Sequence, residues 1–353
     1  TLKQLQKRNV ALRILVLSEE AQATANEGCD PDQAAAWGAA RSLAIEYPAC
    51  KWLLLDVSRL TTAEVRVAAL HRAAAHFGSD DALMLRDNQW LRPCLTPVQD
   101  ELLHTEQSFN VSSEETVLVV GAWGALGRYI SEWLVDNGAR HLVLSGRKPP
   151  GSHWQPWLNW LRGRGVELFC TEADISNPQQ VDTLFERIDA LERPLAGVFH
   201  CAGVGRFNPL EEITEEDYHA VTSAKMTGTA LLDRATRHRA HRWFVCFTSI
   251  AGVWGSRLQI HYGAANAWQD ALMRQRRHLG LPGMSVSWGP WSGGAGMSEV
   301  DASLPIILLI AGLLRKTPSA HLAPLYGLFP PGERGIASAL VWAPPQLAGG
   351  NFA

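Results

Sequence analysis

Apolar positions along this chain fall into short continuous runs, separated by longer stretches in which they recur at helical spacing. In the first third, strands are predicted at Arg13 to Leu17 and Lys51 to Asp56. Helices are predicted near Pro31 to Ile45 and over Thr61 to Phe77, where VRVAALHRAAAHF carries the period. DDALMLRDNQWLRPCL reads as a hairpin turning at Asp87-Asn88. His104 to Glu115 is polar and reads as a linker. From Thr116 the runs become fully apolar, as strands of a buried parallel sheet do: TVLVV, then His141 to Leu144, Glu167 to Cys170, Leu195 to His200, Trp243 to Thr248 and Met284 to Trp288. Helices fill the intervals, so an α/β fold with a doubly wound parallel sheet is expected in the second half. The first half reads as a shorter copy of the same plan. The division falls at residues 1–112 and 113–353.

Composition narrows the function classes. The 353 residues are 46% hydrophobic and 19% charged, which excludes a disordered chain and gives about two domains. A net charge of -3 offers no footprint for nucleic acid or an anionic membrane. Six cysteines lie scattered without a CxxC pair, as expected of reduced thiols in the cytoplasm, and no metal-ligand spacing is present. The apolar run Leu304 to Leu314 is too short to span a bilayer. No signal peptide opens the chain and its first residue is Thr1, so a piece of a longer protein is expected.

Chemistry begins after TVLVV. Gly121, Gly124 and Gly127 in GAWGALG, with Trp123, Ala125 and Leu126 between them, join a buried strand to a helix. Such a loop lets the backbone approach a pyrophosphate while the helix N-terminus faces its charge. An NAD site places a carboxylate about 20 residues on. This chain has Ser145-Gly146-Arg147-Lys148 after its next strand, which suits the extra phosphate of NADPH. Asp174 and Ile175 follow the third strand as candidates for the adenine amino group, and Cys201-Ala202-Gly203 follow the fourth, beside a nicotinamide ribose. Ser249 stands thirteen residues before Tyr262, at a strand end, and Asn266 lies one helical turn beyond the tyrosine. A hydroxyl pair of this kind can hand a proton to a carbonyl oxygen reduced by hydride. A phenol of pKa about 10 needs help from a cation to do so near neutral pH. Short-chain reductases commonly place a lysine four residues after the tyrosine. Asn266 holds that place here, and Lys225 lies on the preceding long helix.

VGAWGALG, FHCAGV, AKMTG, TSIAGVWGSRLQIHYGAANAWQDAL and LPGMSVSWGPWSGGAGM, on to Trp342, together resemble the ketoreductase domain of a modular polyketide synthase, within the short-chain dehydrogenase/reductase superfamily. The resemblance implies two Rossmann-like subdomains, the first structural and without cofactor, the second binding NADPH, with a lid near 292–316. It assigns Lys225, Ser249, Tyr262 and Asn266 as the catalytic set, with Lys225 lowering the tyrosine pKa. It implies reduction of a β-ketoacyl thioester on an acyl carrier protein, neighbouring synthase domains as partners, and a monomer when excised. Family patterns for stereochemistry point the same way: Gly205-Arg206-Phe207 stands in place of Leu-Asp-Asp, and Trp254 lies eight residues before the tyrosine. With Gln259 three before it, these imply an A-type, non-epimerising reductase making the L-hydroxyl, and Met297 joins Trp254, Gln259 and Phe207 as a substrate-facing candidate. Two departures stand out in the glycine loop, Ala122 for a glycine and Trp123 for a small residue. An inactive or epimerase-only domain of the same fold is the alternative; loss of Tyr262, Ser249 or Lys225 would mark it, and all three are present. A nucleotide-sugar epimerase shares the wide glycine spacing but would keep the lysine four after the tyrosine.

Overall fold

The computed structural model describes residues 12–24, 27–78, 81–94 and 109–289. The expected lid, Met297 and Trp342 lie outside them. Two sheets organise the molecule. The first runs through β1 (Arg13–Glu19), α1 (Pro31–Glu46), β2 (Lys51–Val57), α2 (Ala63–Ala74), β3 (Ala82–Arg86) and β4 (Gln89–Leu91), with strand order β1-β2-β3-β4. Its first three strands are parallel and β4 returns antiparallel. That reversal is made by Asp87 and Asn88, both with positive φ (46° and 61°), the conformation a tight hairpin turn needs and Asn and Asp tolerate. Asp30 and Thr62 cap the two helices by accepting backbone N–H bonds. At the strand ends, where a cofactor loop would lie, this half is plugged: the Asp56 carboxylate accepts from Ser18, from Ala21 and Gln22 N–H groups, and from Arg86.

The second sheet comprises β5 (Thr116–Val120), β6 (His141–Gly146), β7 (Glu167–Glu172), β8 (Leu195–His200), β9 (Trp243–Ser249) and β10 (Met284–Trp288). All its pairings are parallel, in the order β10-β9-β8-β5-β6-β7. The order reverses between β5 and β8, the switch point at which doubly wound sheets open a crevice for ligands. Around the sheet lie α3 (Ala125–Asp136), α4 (Gln155–Gly163), α5 (Pro178–Asp189), α6 (Glu215–Thr222), α7 (Thr229–Thr236), α8 (Ala251–Trp254) and the long α9 (Ile260–His278). Phe109 and Val111, from the segment read as a polar linker, are buried in this half. Phe109 packs on Trp133 and Trp243 with ring centroids 4.3 and 4.5 Å away.

The halves meet helix to helix. α1 crosses α9 where Gly38 faces Gly263, so closely that a Cβ on Gly38 would fall 2.3 Å from the Gly263 carbonyl oxygen. Trp268 Nε1 donates to Asp32 at 2.8 Å, and Cys29 Sγ to the Ala271 carbonyl at 3.3 Å. Arg41 donates to the Val253 carbonyl, just ahead of the glycine turn at Gly255. The helix that carries Tyr262 therefore rests on the half that has no cofactor loop.

Candidate active site

β5 ends in the glycine loop, and each glycine there has a separate steric reason. Gly121 has φ +78°, and a Cβ would lie 2.6 Å from Ala202 N at the end of β8. A Cβ on Gly127 would meet the Gly121 carbonyl oxygen at 2.3 Å, so it lets α3 sit against the turn. At Gly124, the N-cap of α3, a Cβ would meet among the described residues only the Gly121 oxygen within 4 Å, at 3.5 Å, leaving space over the loop. Ala122 is fully buried, so its methyl is accommodated within the core and does not face that space. Trp123 turns its indole onto Gly146, where a Cβ would fall 2.3 Å from its Cδ1, and packs beside Trp154. Ser145 Oγ and Trp123 Nε1, both buried, have no hydrogen-bond partner among the described residues. Arg147 and Lys148 are exposed just beyond.

A nicotinamide dinucleotide fits this edge on three observations: the space at Gly124, the helix N-terminus without a side-chain cap behind it, and the buried Ser145 hydroxyl, which has no partner among the described residues and stands next to the exposed Arg147 and Lys148. Asp174 is occupied locally, its Oδ1 accepting from Ser176 N (2.9 Å) and Oγ (2.7 Å). Ile175 is buried and reaches Gly228, where a Cβ would touch its Cδ1 at 2.6 Å. Beyond β8, Ala202 N donates to His200 Nδ1, Gly203 lies against the Lys225 side chain, and burial pushes the Cys201 thiol pKa up.

Ser249 ends β9, and its Oγ accepts from Ala251 N at 3.2 Å, which leaves its own proton free to donate. Tyr262 and Asn266 share one face of α9, where both are buried. Asn266 Nδ2 donates to the Tyr262 carbonyl at 2.7 Å, and its Oδ1 is buried without a protein partner. Burial raises the Tyr262 pKa, while the adjacent Ser249 and Asn266 side chains pull it down. The net displacement is upward. The Lys225 ammonium donates to the Phe247 carbonyl (3.1 Å) and to Gln269 Oε1 (3.0 Å), and it lies 5.6 Å from the Tyr262 ring centroid. Lys225 itself is buried, which brings its pKa down to about 8.

Lys225 does not sit on an ordinary long helix. It occupies a π-helical turn, Ser223–Gly228, between α6 and α7, the kind of widened turn found at functional sites. His200 pins that turn. Its Nε2 donates to the Ala224 carbonyl at 3.0 Å, which leaves Nδ1 as the acceptor for Ala202 N. Helical periodicity does not distinguish a π turn from an α turn, so only the backbone reveals it. Gln269 was also missed; its signal was a polar residue seven after the tyrosine, on the same face.

Among the expected stereochemical residues, Gln259 caps the start of α9 and its Oε1 accepts from Ser256 Oγ at 2.8 Å. Phe207 is exposed, on a loop tied to the start of α9 by the Asn208 N–H to Leu258 carbonyl bond and to α6 by the Arg206–Asp217 pair. Trp254 ends α8 and lines a cleft of about 650 Å³ between the halves, together with Arg41, Ile45 and Trp52. His261, next to the tyrosine, is buried with both ring nitrogens unpartnered.

The family model described as KR domain matches residues 115–293. The chain is 34% identical over 308 residues to the polyketide synthase GfsA of Streptomyces halstedii, covering 87% of this chain and 4% of that protein. It is 34% identical over 279 residues to the pikromycin polyketide synthase component PikAIII of Streptomyces venezuelae, covering 77% of this chain and 17% of that one. The chain thus spans less than a fifth of either relative. A solved structure of A-type ketoreductases from a modular polyketide synthase superimposes with a TM-score of 0.73 at 28% identity, over 97% of this chain and 70% of the other.

Proposed function

This chain belongs to the KR-domain family, the ketoreductase domains of polyketide synthases, and from that premise we propose that it reduces a β-ketoacyl thioester, presented by an acyl carrier protein, to the L-β-hydroxyacyl thioester with NADPH. The observation that carries this reading is the convergence of Ser249, Tyr262, Asn266 and Lys225 behind the glycine loop at the switch point of the sheet. Gly121 to Gly127 would hold the pyrophosphate, and Ser145 with Arg147 the extra phosphate. The bound nicotinamide supplies the hydride that the β-carbon receives.

The remaining chemistry belongs to the chain. A tyrosine phenol, with an ordinary pKa of about 10, is protonated at neutral pH, the state a proton donor must start from, and burial displaces the Tyr262 pKa further in that direction. Ser249, whose Oγ already accepts from Ala251 N, directs its own hydroxyl proton to the ketone oxygen and fixes its place. Asn266 Oδ1 is the buried acceptor available to hold a water in the path that reprotonates the tyrosine. Trp254 is assigned to the L-hydroxyl outcome, and Gln259 to the absence of epimerisation, by family pattern alone.

The test is loss of NADPH absorbance with a β-ketoacyl N-acetylcysteamine thioester. Tyr262→Phe should reduce turnover by about 10²–10⁴-fold, the contribution of a positioned acid, with cofactor binding nearly unchanged. A fully active Tyr262→Phe enzyme overturns the assignment. Chiral chromatography of the product checks the stereochemistry, and a predominantly D-hydroxyl product refutes the role given to Trp254.

A further inference from the structure

We propose that Gln269 is a positioning residue for Lys225, fixing its ammonium against the Tyr262 ring through a closed ring of buried hydrogen bonds. The proposal rests on the role given to Lys225 above and deepens it. Lys225 Nζ donates to Gln269 Oε1 at 3.0 Å, Gln269 Nε2 donates to Thr229 Oγ1 at 2.8 Å, and Thr229 Oγ1 donates to the carbonyl of Lys225 itself at 2.5 Å. Donor and acceptor chemistry permits only one orientation. An ammonium cannot accept, so the amide oxygen faces it; the amide nitrogen then faces Thr229, whose proton is committed to the Lys225 carbonyl.

Lys225, Thr229 and Gln269 are respectively 3%, 0% and 0% exposed, so water does not compete for these bonds. Gln269 is fully buried on α9, where an amide is costly unless its polar atoms are paired, and both are. It follows Tyr262 at i+7 and Asn266 at i+3, so one helix face presents the acid, its relay and the lysine's acceptor. The π turn matters here as well, because it carries Lys225 and ends where Thr229 begins α7. The ionisable groups facing the ammonium are His200 and Cys201 at the end of β8, Cys246 on β9, and Tyr262 and Asp270 on α9. Among these groups Gln269 supplies an uncharged side-chain acceptor, beside the Phe247 carbonyl. It holds the cation without clamping its proton as a carboxylate would.

The experiment is a ¹³C NMR titration of the lysine ε-carbons in the full chain, with the Lys225 signal assigned by Lys225→Met. Gln269→Leu removes an acceptor from the charged form, so the Lys225 midpoint should move down by about one pH unit. Gln269→Glu should move it up by at least about as much. Thr229→Val, which frees the amide to turn, should move it down by less than Gln269→Leu and serves if that variant does not fold. The alkaline limb of kcat/KM should follow the same order. Midpoints that coincide across the set, or that move in the same direction for Leu and Glu, overturn the proposal. Midpoints that move as expected in a wild-type chain that turns over no ketone would uphold the hydrogen-bonded ring and defeat the reductase reading instead.

Discussion

At the scale of single residues, several of the informative side chains are buried polar groups whose pairing is complete on one side and open on the other. His200 is closed. Burial, with the Lys225 charge behind it, pushes its pKa down to about 3, against the pull of the Ala224 carbonyl. An unfolded histidine titrates near 6.5. Between these values the unfolded chain binds the extra proton, so stability rises with pH across the window and is lost as pH falls from about 6.5 toward 3. The slope from this one group approaches about 1.4 kcal/mol per pH unit. His200→Gln should flatten that acid limb in urea unfolding measured from pH 7 to 4, even where it lowers stability at pH 7. The Ser145–Arg147 edge is open. Removing the guanidinium by Arg147→Ala should weaken NADPH binding by roughly tenfold, the scale of one charge-assisted hydrogen bond. NADH binding should stay unchanged, as fluorescence titration of both cofactors would read.

At the scale of elements, α9 is fastened in three directions by three consecutive residues. Trp268 bonds to Asp32 of the first half, Gln269 to the lysine turn, and Asp270 to Thr248 on β9 at 2.8 Å. Its other fixture is the crossing with α1, where the clash a Gly38 side chain would make is with backbone and cannot be relieved by a rotamer change. Gly38→Ala should therefore force the helices apart and cost about 1–3 kcal/mol, as overpacking does. Urea midpoints would show it. Gly263→Ala meets the Ser42 hydroxyl at 2.6 Å and the Gly38 carbonyl oxygen at 2.9 Å, and should lower the urea midpoint as well. If the crossing positions the site as well as stabilising it, kcat falls with Gly38→Ala at temperatures where the variant is still folded.

At the scale of the whole molecule, the first sheet matters through this contact and not through a cofactor loop of its own, since Asp56 and Arg86 fill its strand ends. A chain beginning at residue 109 would expose the α9 surface formed by Gly263, Ala267, Trp268 and Ala271, now covered by α1. Such a chain should aggregate or lose its cooperative unfolding transition, as size-exclusion chromatography and circular dichroism would report.

The apolar runs alone were enough to locate the central strands, β5 and β8 among them, because a parallel strand buried on both faces leaves an unbroken apolar signature. Glycine spacing located the loop, since only glycine permits the backbone approaches measured at Gly121 and Gly127. The Ser249, Tyr262 and Asn266 spacing was equally legible, because a strand end and one helix face bring them together locally. What the sequence could not decide depends on contacts between distant segments. Phe109 looked like linker because its aromatic partners lie at Trp133 and Trp243. The π turn is a backbone choice among conformations with nearly the same side-chain periodicity. The direction of the Lys225 ammonium was set by Phe247 and Gln269, which approach from a strand and a helix more than twenty residues away. Sequence determined which groups the site contains. Tertiary structure decided which of them hold one another, because hydrogen-bond pairing in a buried site depends on positions of a few tenths of an ångström that no spacing encodes.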